Sequence, residues 1–489
     1  MTVRSSRSPT VLARGWPLLL GCLFILLTGS APVPSDFLAA RIDPLLERGL
    51  ADRAFWGISV VDLASGETIY SHNADKAFLP ASNQKIVTAA TALDALGATY
   101  RYETTLHFEG RTTDGVLSGD FVLEGSGDPT FGSQVLRGDD PLREWAERLA
   151  AMGVQRIEGR LIGDGSRFNG RSYPEGWDVD YITRQAGRYI GASAGGLSYH
   201  DNVVAVRVAA SRPGERPTVQ TRPEGAVQIK NRARTSRRRR GSSLQVERAF
   251  DSNTIALTGA VPRYYRRTLS VPVTTPTQFV LQSWVHHLRN AGIETDLTLH
   301  TTDEVSNARS VEAPLFVHLS PPLAEIVRVM NRKSNNFYAE QVFRTYGWGG
   351  SSPGAARRTE RLLQRASINT RRMLVRDGSG LSRKNLISPR AMARLLAYMN
   401  DHKARATFWE SLPQGGENET TLEHRLRREP VWAKTGSLRF VRALSGYAER
   451  ADGRKVAFAI FANNYTVPSY HIRRTIDDVV QTLTSTSVR

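Results

Sequence analysis

Ser82 and Lys85 stand three residues apart in Leu79-Pro80-Ala81-Ser82-Asn83-Gln84-Lys85, just before an apolar-periodic run from Ile86 to Leu96 that Gly97 is placed to end. The spacing predicts a helix over that run, with Ser82 at its N-terminal lip and Lys85 one turn away over the same face. A hydroxyl becomes a nucleophile when a base lies within hydrogen-bond reach, and Ser–Lys is one pairing that supplies it. Free N–H groups at a helix start also favour negative charge near the serine oxygen. For an isolated Ser-x-x-Lys, a capping serine with an unrelated lysine is the commoner reading. Here only eight of the 65 basic residues are lysines, and Lys85 alone has a serine three residues before it. A lysine kept where arginine is the habit suggests a group that must lose its proton.

Two later motifs add to this pair. Asn331-Arg332-Lys333-Ser334-Asn335-Asn336 follows the helical stretch Leu323 to Met330, and Val431-Trp432-Ala433-Lys434-Thr435-Gly436-Ser437-Leu438 opens a strand. Alone, Ser334-x-Asn336 reads as polar residues facing solvent and Lys434-Thr435-Gly436 as a strand entrance. In order with Ser82-x-x-Lys85 they supply the parts of acyl transfer. Ser82 would attack a peptide carbonyl while a neutral Lys85 takes its proton. Ser334 would pass a proton to the leaving nitrogen, and Asn336 would hold a substrate amide. Lys434 and Thr435 would form a positive corner for a terminal carboxylate. Gly436 would let a substrate backbone approach the strand edge. The backbone N–H groups of Ser82 and Ser437 would form an oxyanion hole.

The elements that must position these groups come from two textures. Residues 36–49 read as an amphipathic helix and Phe55 to Tyr70 as a hairpin, before the Ser82 helix. From about Ala98, strands dominate: Tyr102 to Phe108, Val116 to Leu123, Arg156 to Ile162, Val203 to Ala209 and Val246 to Leu257, with one helix from Pro141 to Met152. Helices return at Thr275–Ala291, from Pro322, at Arg358–Ser367, from Ser388-Pro389 to Asn400, and from Ser469 to Leu483. The β-rich middle therefore reads as an insertion between the Ser82 helix and the later motifs.

The N-terminus reads as an export signal: Arg4, Arg7 and Arg14, an apolar core from Trp16 to Leu27, and a small-residue cleavage site at Thr28-Gly29-Ser30-Ala31. The apolar run is short for a spanning helix. Cys22 is the only cysteine, so a processed chain has no disulfide, no catalytic thiol and no cysteine-bound metal. The formal charge is +18. For an exported chain this points to anionic envelope polymers or membrane headgroups, not to nucleic acid. The most basic stretch, Lys230 to Arg240, ends in Arg237-Arg238-Arg239-Arg240 and contains no aromatic residue, so it reads first as a solvated loop. Gly191-Ala192-Ser193-Ala194-Gly195 matches a nucleophile elbow but lacks the following helix. His200 and His424 read as structural or solvent-facing, and no zinc motif or phosphate-cradling loop is present.

The three motifs together resemble the low-molecular-weight, class C penicillin-binding proteins, exported serine D-alanyl-D-alanine carboxypeptidases and endopeptidases. Leu123-Glu124-Gly125-Ser126-Gly127-Asp128-Pro129-Thr130, Gly163-Asp164-Gly165-Ser166-Arg167-Phe168, Pro174-Glu175-Gly176-Trp177, Ala194-Gly195-Gly196-Leu197-Ser198 with Asn202, and Asp377-Gly378-Ser379-Gly380-Leu381-Ser382 extend the resemblance over nearly the whole chain. One departure is Thr420 before Thr421-Leu422, where the family usually carries glycine. The resemblance implies an α/β (α+β) β-lactamase/transpeptidase-like domain with a five-stranded antiparallel sheet between helices. A large β-rich insertion carrying a nested second insert would interrupt it. The expected division is a signal peptide over 1–31, the transpeptidase-like domain over 32–100 and 310–489, and the insertion over 101–309. The insertion's outer lobe would cover 101–127 and 212–309, and its nested lobe 128–211. The resemblance also implies peptidoglycan stem peptides as substrates, acylation by β-lactams, no cofactor, a periplasmic or extracytoplasmic location, and Asp178 or Asp180 as contacts for the stem peptide or plain turn residues. A serine β-lactamase and a non-enzymatic cell-wall binding protein are the alternatives.

Overall fold

The hairpin Phe55–Asp62 and Thr68–His72 joins strands Val431–Leu438, Val441–Glu449 and Lys455–Asn463 in one five-stranded sheet. This is a computed structural model that describes residues 35–486 except 137, 139, 184–190, 226, 251 and 303–312. The expected signal segment, Cys22 included, lies outside the described residues. All neighbours in the sheet are antiparallel, with Ile58 opposite Ile460 and Lys434 opposite Ser445. Val431–Leu438 is an edge strand. The central strands Phe55–Asp62 and Lys455–Asn463 are buried almost throughout, because helices cover both faces. Ala457, Ala459 and Phe461 join the core of Met392 and Leu395 from helix Pro389–Asn400. Alternation sends Phe458 and Ile460 to the other face.

Helix Gln84–Leu96 is buried from Gln84 to Leu93. Its small residues, Ala89, Ala90 and Ala92, let helices Asn336–Tyr346 and Ser352–Arg365 pack close against it. Its two buried threonines are satisfied: Thr88 Oγ1 donates to the Gly378 carbonyl at 2.8 Å and Thr91 Oγ1 to the Val87 carbonyl at 2.8 Å. Gly97, at φ 85°, ends the helix, and its N–H reaches the Leu93 carbonyl. The helix thus fixes the turn at its N-terminus from within the core.

A second five-stranded sheet follows the order Glu294–Thr301, Arg156–Asp164, Val116–Glu124, Glu103–Thr113 and Phe316–Leu319. Helices Pro141–Ala151 and Pro276–Asn290 pack on it through Trp145 and Trp284. Between its strands in sequence lie smaller sheets, the main one with Val203–Ala209 between Arg266–Pro272 and Thr218–Arg222. These pairings cross the expected lobe boundaries. Arg156–Asp164, assigned to the nested lobe, pairs in parallel with Val116–Glu124 and Glu294–Thr301 of the outer one, and Val203–Ala209 pairs with strands beyond 211. The single strand expected over Val246–Leu257 is a hairpin, Gln245–Arg248 with Thr254–Thr258, because Ser252 and Asn253 favour a turn. The helix expected from Arg358 begins at Ser352, where Ser351 Oγ accepts from the Gly354 N–H at 3.1 Å.

Candidate active site

Ser82 sits in a 3₁₀ turn, Ala81–Asn83, that feeds directly into helix Gln84–Leu96. Lys85 is fully buried beneath it. Its Nζ lies 3.1 Å from Ser82 Oγ, 2.6 Å from Asn336 Oδ1 and 2.8 Å from the Ser379 carbonyl. Burial lowers its pKa to about 7, against the opposing pull of the Asp377 and Glu340 charges. The amide and peptide oxygens can only accept. A neutral Lys85 must therefore spend both N–H groups on them, which leaves its lone pair facing Ser82 Oγ.

Ser334 joins helices Leu323–Arg332 and Asn336–Tyr346 at φ 55°. That left-handed conformation is imposed from both sides: the Asn335 N–H reaches back to the Met330 carbonyl at 3.1 Å, and Asn335 Oδ1 caps the next helix by accepting from the Tyr338 N–H at 3.1 Å. The tight corner brings Ser334 and Asn336 to the same cleft as Ser82.

Lys434 is also fully buried. Its Nζ donates to the Thr435 carbonyl at 3.0 Å, and burial together with the Lys85 charge holds its pKa well below the usual lysine value. Its own carbonyl accepts from Asn83 Nδ2 at 2.7 Å, and Ser445 Oγ donates to Asn83 Oδ1 at 2.6 Å. Gly436 has a second reason beyond the strand edge: a Cβ there would stand 2.8 Å from the Pro80 carbonyl and 3.2 Å from Ala81 Cβ. The glycine lets the strand press against the turn that carries Ser82.

The result is an open cleft of about 470 Å³ lined by Ser82, Ser334, Asn336, Thr435, Gly436 and Ser437, with Tyr181 and Arg425 among the residues around them. The two lysines lie under its floor. A larger cavity of about 920 Å³, by Tyr199 and His287 in the insert, touches none of these groups.

The D-Ala-D-Ala carboxypeptidase 3 (S13) family matches residues 38–486. The chain belongs to that family. It is 30% identical over 475 residues to a D-alanyl-D-alanine carboxypeptidase of Actinomadura sp. (strain R39), covering 91% of this chain and 85% of that one. It is 26% identical to the D-alanyl-D-alanine carboxypeptidase DacB of Haemophilus influenzae, covering 84% and 85% of the two chains. The crystal structure of penicillin binding protein 4 from Haemophilus influenzae matches with a TM-score of 0.75 at 25% identity, covering 92% of this chain and 98% of that chain. A peptidoglycan endopeptidase of Bdellovibrio bacteriovorus shares the fold at a TM-score of 0.50, 16% identity and 88% and 94% coverage. This S13 chain is thus a serine peptidase of the low-molecular-weight, class C penicillin-binding type.

The S13 site contains two acids to which the sequence reading gave no role. Glu340, one turn after Asn336, is fully buried and accepts from the Gly378 N–H at 3.1 Å and the Ser379 N–H at 2.8 Å. Burial and the Asp377 charge push its pKa up. Asp377 accepts from the Gly380 N–H at 2.8 Å, the Ser382 N–H at 2.6 Å and Trp177 Nε1 at 2.8 Å. Together they shape the loop that aims the Ser379 carbonyl at Lys85. The i, i+4 spacing of Asn336 and Glu340 was a visible signal; the loop they reach was not. Trp177 brings an insert segment to this loop, and Tyr181 from that segment lines the cleft. Asp178 Oδ1 accepts from the Asp180 N–H at 3.0 Å, as a turn aspartate does, and neither acid lines the cleft. Ser193, the elbow candidate, is buried and donates to the Val273 carbonyl at 2.9 Å. His200 contacts the Val203 carbonyl and His424 is exposed, as expected.

Proposed function

We propose that this chain hydrolyses the terminal D-alanyl-D-alanine bond of peptidoglycan stem peptides, or the matching cross-link, through an acyl-serine on Ser82. Ser82 Oγ attacks the carbonyl carbon and its proton passes to Lys85 Nζ. The tetrahedral oxyanion is held by the Ser82 and Ser437 backbone N–H groups. Ser334 relays the proton to the departing amine as the C–N bond breaks. Water then attacks the ester, losing a proton to Lys85 as Ser82 regains its own. Lys434 and Thr435 receive the terminal carboxylate, and the Asn336 amide holds the substrate. The observation that carries this reading is the Lys85 amine, 3.1 Å from Ser82 Oγ with two other oxygens in reach.

β-Lactams acylate the same serine in this reading. The chain works outside the cytoplasm after losing residues 1–31, and it needs no metal or organic cofactor. The insertion divides by its sheets, with an outer lobe over about 103–164 and 276–319 and an inner one over about 203–272. Among the described residues no carboxylate lines the cleft to activate water for fast deacylation, which favours a peptidase over a β-lactamase. Intact-mass spectrometry after labelled penicillin, with the adduct mapped by digestion, tests the reading. A stoichiometric adduct on Ser82 and release of D-alanine by wild type but not Ser82→Ala are expected. An adduct elsewhere overturns the site, and steady cephalosporin turnover overturns the peptidase assignment.

A further inference from the structure

We infer that the arginine-rich end of the insert is a docking surface for an anionic phospholipid bilayer. In sequence, Arg237–Arg240 look like one solvated loop. In the fold, three segments meet there. The Gly214 N–H donates to the Thr235 carbonyl at 2.8 Å, the Arg263 N–H to the Arg238 carbonyl at 3.1 Å, and the Ala210 N–H to the Tyr265 carbonyl at 2.8 Å. Segments 210–216, 234–240 and 260–267 carry ten arginines and a single acid, Glu215. Arg237–Arg240 are all exposed. Among the described residues none of the ten side chains is in an ion pair, whereas Arg156, Arg160, Arg390 and Arg425 all are. So many unneutralised guanidinium groups at one end repel each other, and phosphate oxygens would accept their paired N–H donors.

The second observation is aromatic. The basic run has no aromatic of its own, but the fold sets Tyr264 beside it, 73% exposed, with the Arg263 guanidinium 4.7 Å from its ring centroid. A tyrosine with a wet hydroxyl and an apolar ring suits the headgroup level of a bilayer. A soluble phosphate polymer satisfies the arginines but gives the exposed ring nothing to enter. No helix among the described residues is long and apolar enough to cross a membrane, so contact of this kind would be peripheral.

The test is co-sedimentation of residues 32–489 with phosphatidylcholine vesicles, with and without phosphatidylglycerol. Wild type should partition onto the anionic vesicles only, and more weakly as salt rises. Replacing Arg237–Arg240 together by serine should weaken partition at least roughly tenfold, and Tyr264→Ser about threefold, with melting temperature unchanged in both. Equal partition onto neutral vesicles, or wild-type binding by the four-serine variant, overturns the inference. So does wild-type vesicle binding by Tyr264→Ser combined with tight capture of soluble polyphosphate, which would make the partner a polymer.

Discussion

Asn83 Nδ2 donates to the Lys434 carbonyl at 2.7 Å, so the turn that carries Ser82 and the edge of the sheet are held as one piece. Ser445 Oγ completes the clamp from the neighbouring strand. Asn83→Ala takes one donor from the Lys434 carbonyl and leaves the buried Ser445 hydroxyl without its acceptor, the latter at a cost of roughly 1–3 kcal/mol. It also frees the turn to shift against Thr435 and Ser437. Penicillin acylation should therefore fall by roughly a hundredfold, more than the loss of stability alone would cause. Acylation kinetics and thermal unfolding, run side by side, check this; a stability loss with normal acylation would show that the clamp does not position the site.

Lys85 sets the pH response. With its pKa brought down to about 7, the amine is mostly charged below that pH and cannot take the Ser82 proton. Acylation by penicillin should rise as pH passes about 7 and level off above it. Lys85→Arg should lose roughly a thousandfold or more at every pH, since arginine keeps its charge. The same shift affects stability. Between about 7 and the ordinary 10.5, the unfolded chain binds more protons at this lysine than the folded one, so its contribution to stability rises with pH across that window. Urea unfolding of wild type against Lys85→Met, at several pH values, reads that slope.

Glu340 acts on Lys85 through the loop as well as through charge. In Glu340→Gln one oxygen still accepts from the Gly378 and Ser379 N–H groups, so the Ser379 carbonyl should stay in place. The Lys85 environment loses a negative neighbour, and the midpoint of the acylation profile should move down in pH. Glu340→Ala removes the acceptor as well and should cost roughly 1–3 kcal/mol for each unpaired N–H, with acylation lost. Pairing the two variants separates charge from support; an upward midpoint in Glu340→Gln would contradict the electrostatic assignment.

Lys434 is expected to titrate with its ligand. Its ammonium form is disfavoured by burial and by Lys85. A bound carboxylate supplies the missing counter-charge and should draw a proton onto Lys434. Peptide binding at neutral to alkaline pH should therefore take up a proton, visible by calorimetry in buffers of different ionisation enthalpy. Lys434→Gln should abolish the uptake and raise KM more than it lowers kcat.

What the sequence made legible was local. Ser82 at a helix start, Ser334 after a helix and Lys434 in a strand each sit in an element whose signals lie within a few residues: Gly97 as stop, the helical stretch Leu323 to Met330, and the strand opening at Val431. The support beneath them was not legible, because it is made of contacts between distant segments. Nothing near Glu340 announces that it will hold Ser379, and nothing near Trp177 announces Asp377. The strand pairing across the insertion was hidden for a related reason. Parallel partners such as Arg156–Asp164 and Glu294–Thr301 are joined by no turn, so their pairing leaves no mark between them. The role of Gly436 was half visible: the strand edge suggested a need for close approach, but only the fold shows Pro80 and Ala81 on the other side.

Gly380 offers the sharpest test of that hidden support. It sits at φ 85°, and a Cβ there would lie 1.8 Å from the Ala81 carbonyl oxygen. Its N–H is fixed by Asp377, and Ser379 just before it is fixed on Lys85. In Gly380→Ala either the loop must retreat, taking the Ser379 carbonyl off Lys85, or the turn must, taking Ser82 with it. The left-handed backbone alone costs roughly 1–2 kcal/mol with a side chain present. Gly97 is the control: it has the same φ of 85°, but nothing lies within 4 Å of its would-be Cβ. Gly97→Ala should lower the melting temperature by a few degrees and leave acylation intact. Gly380→Ala should lower it at least as far and cut acylation by roughly a hundredfold or more, because an ångström of misplacement at the reacting atoms costs that much. Equal acylation by the two variants would mean that the loop and the turn do not constrain each other through this contact.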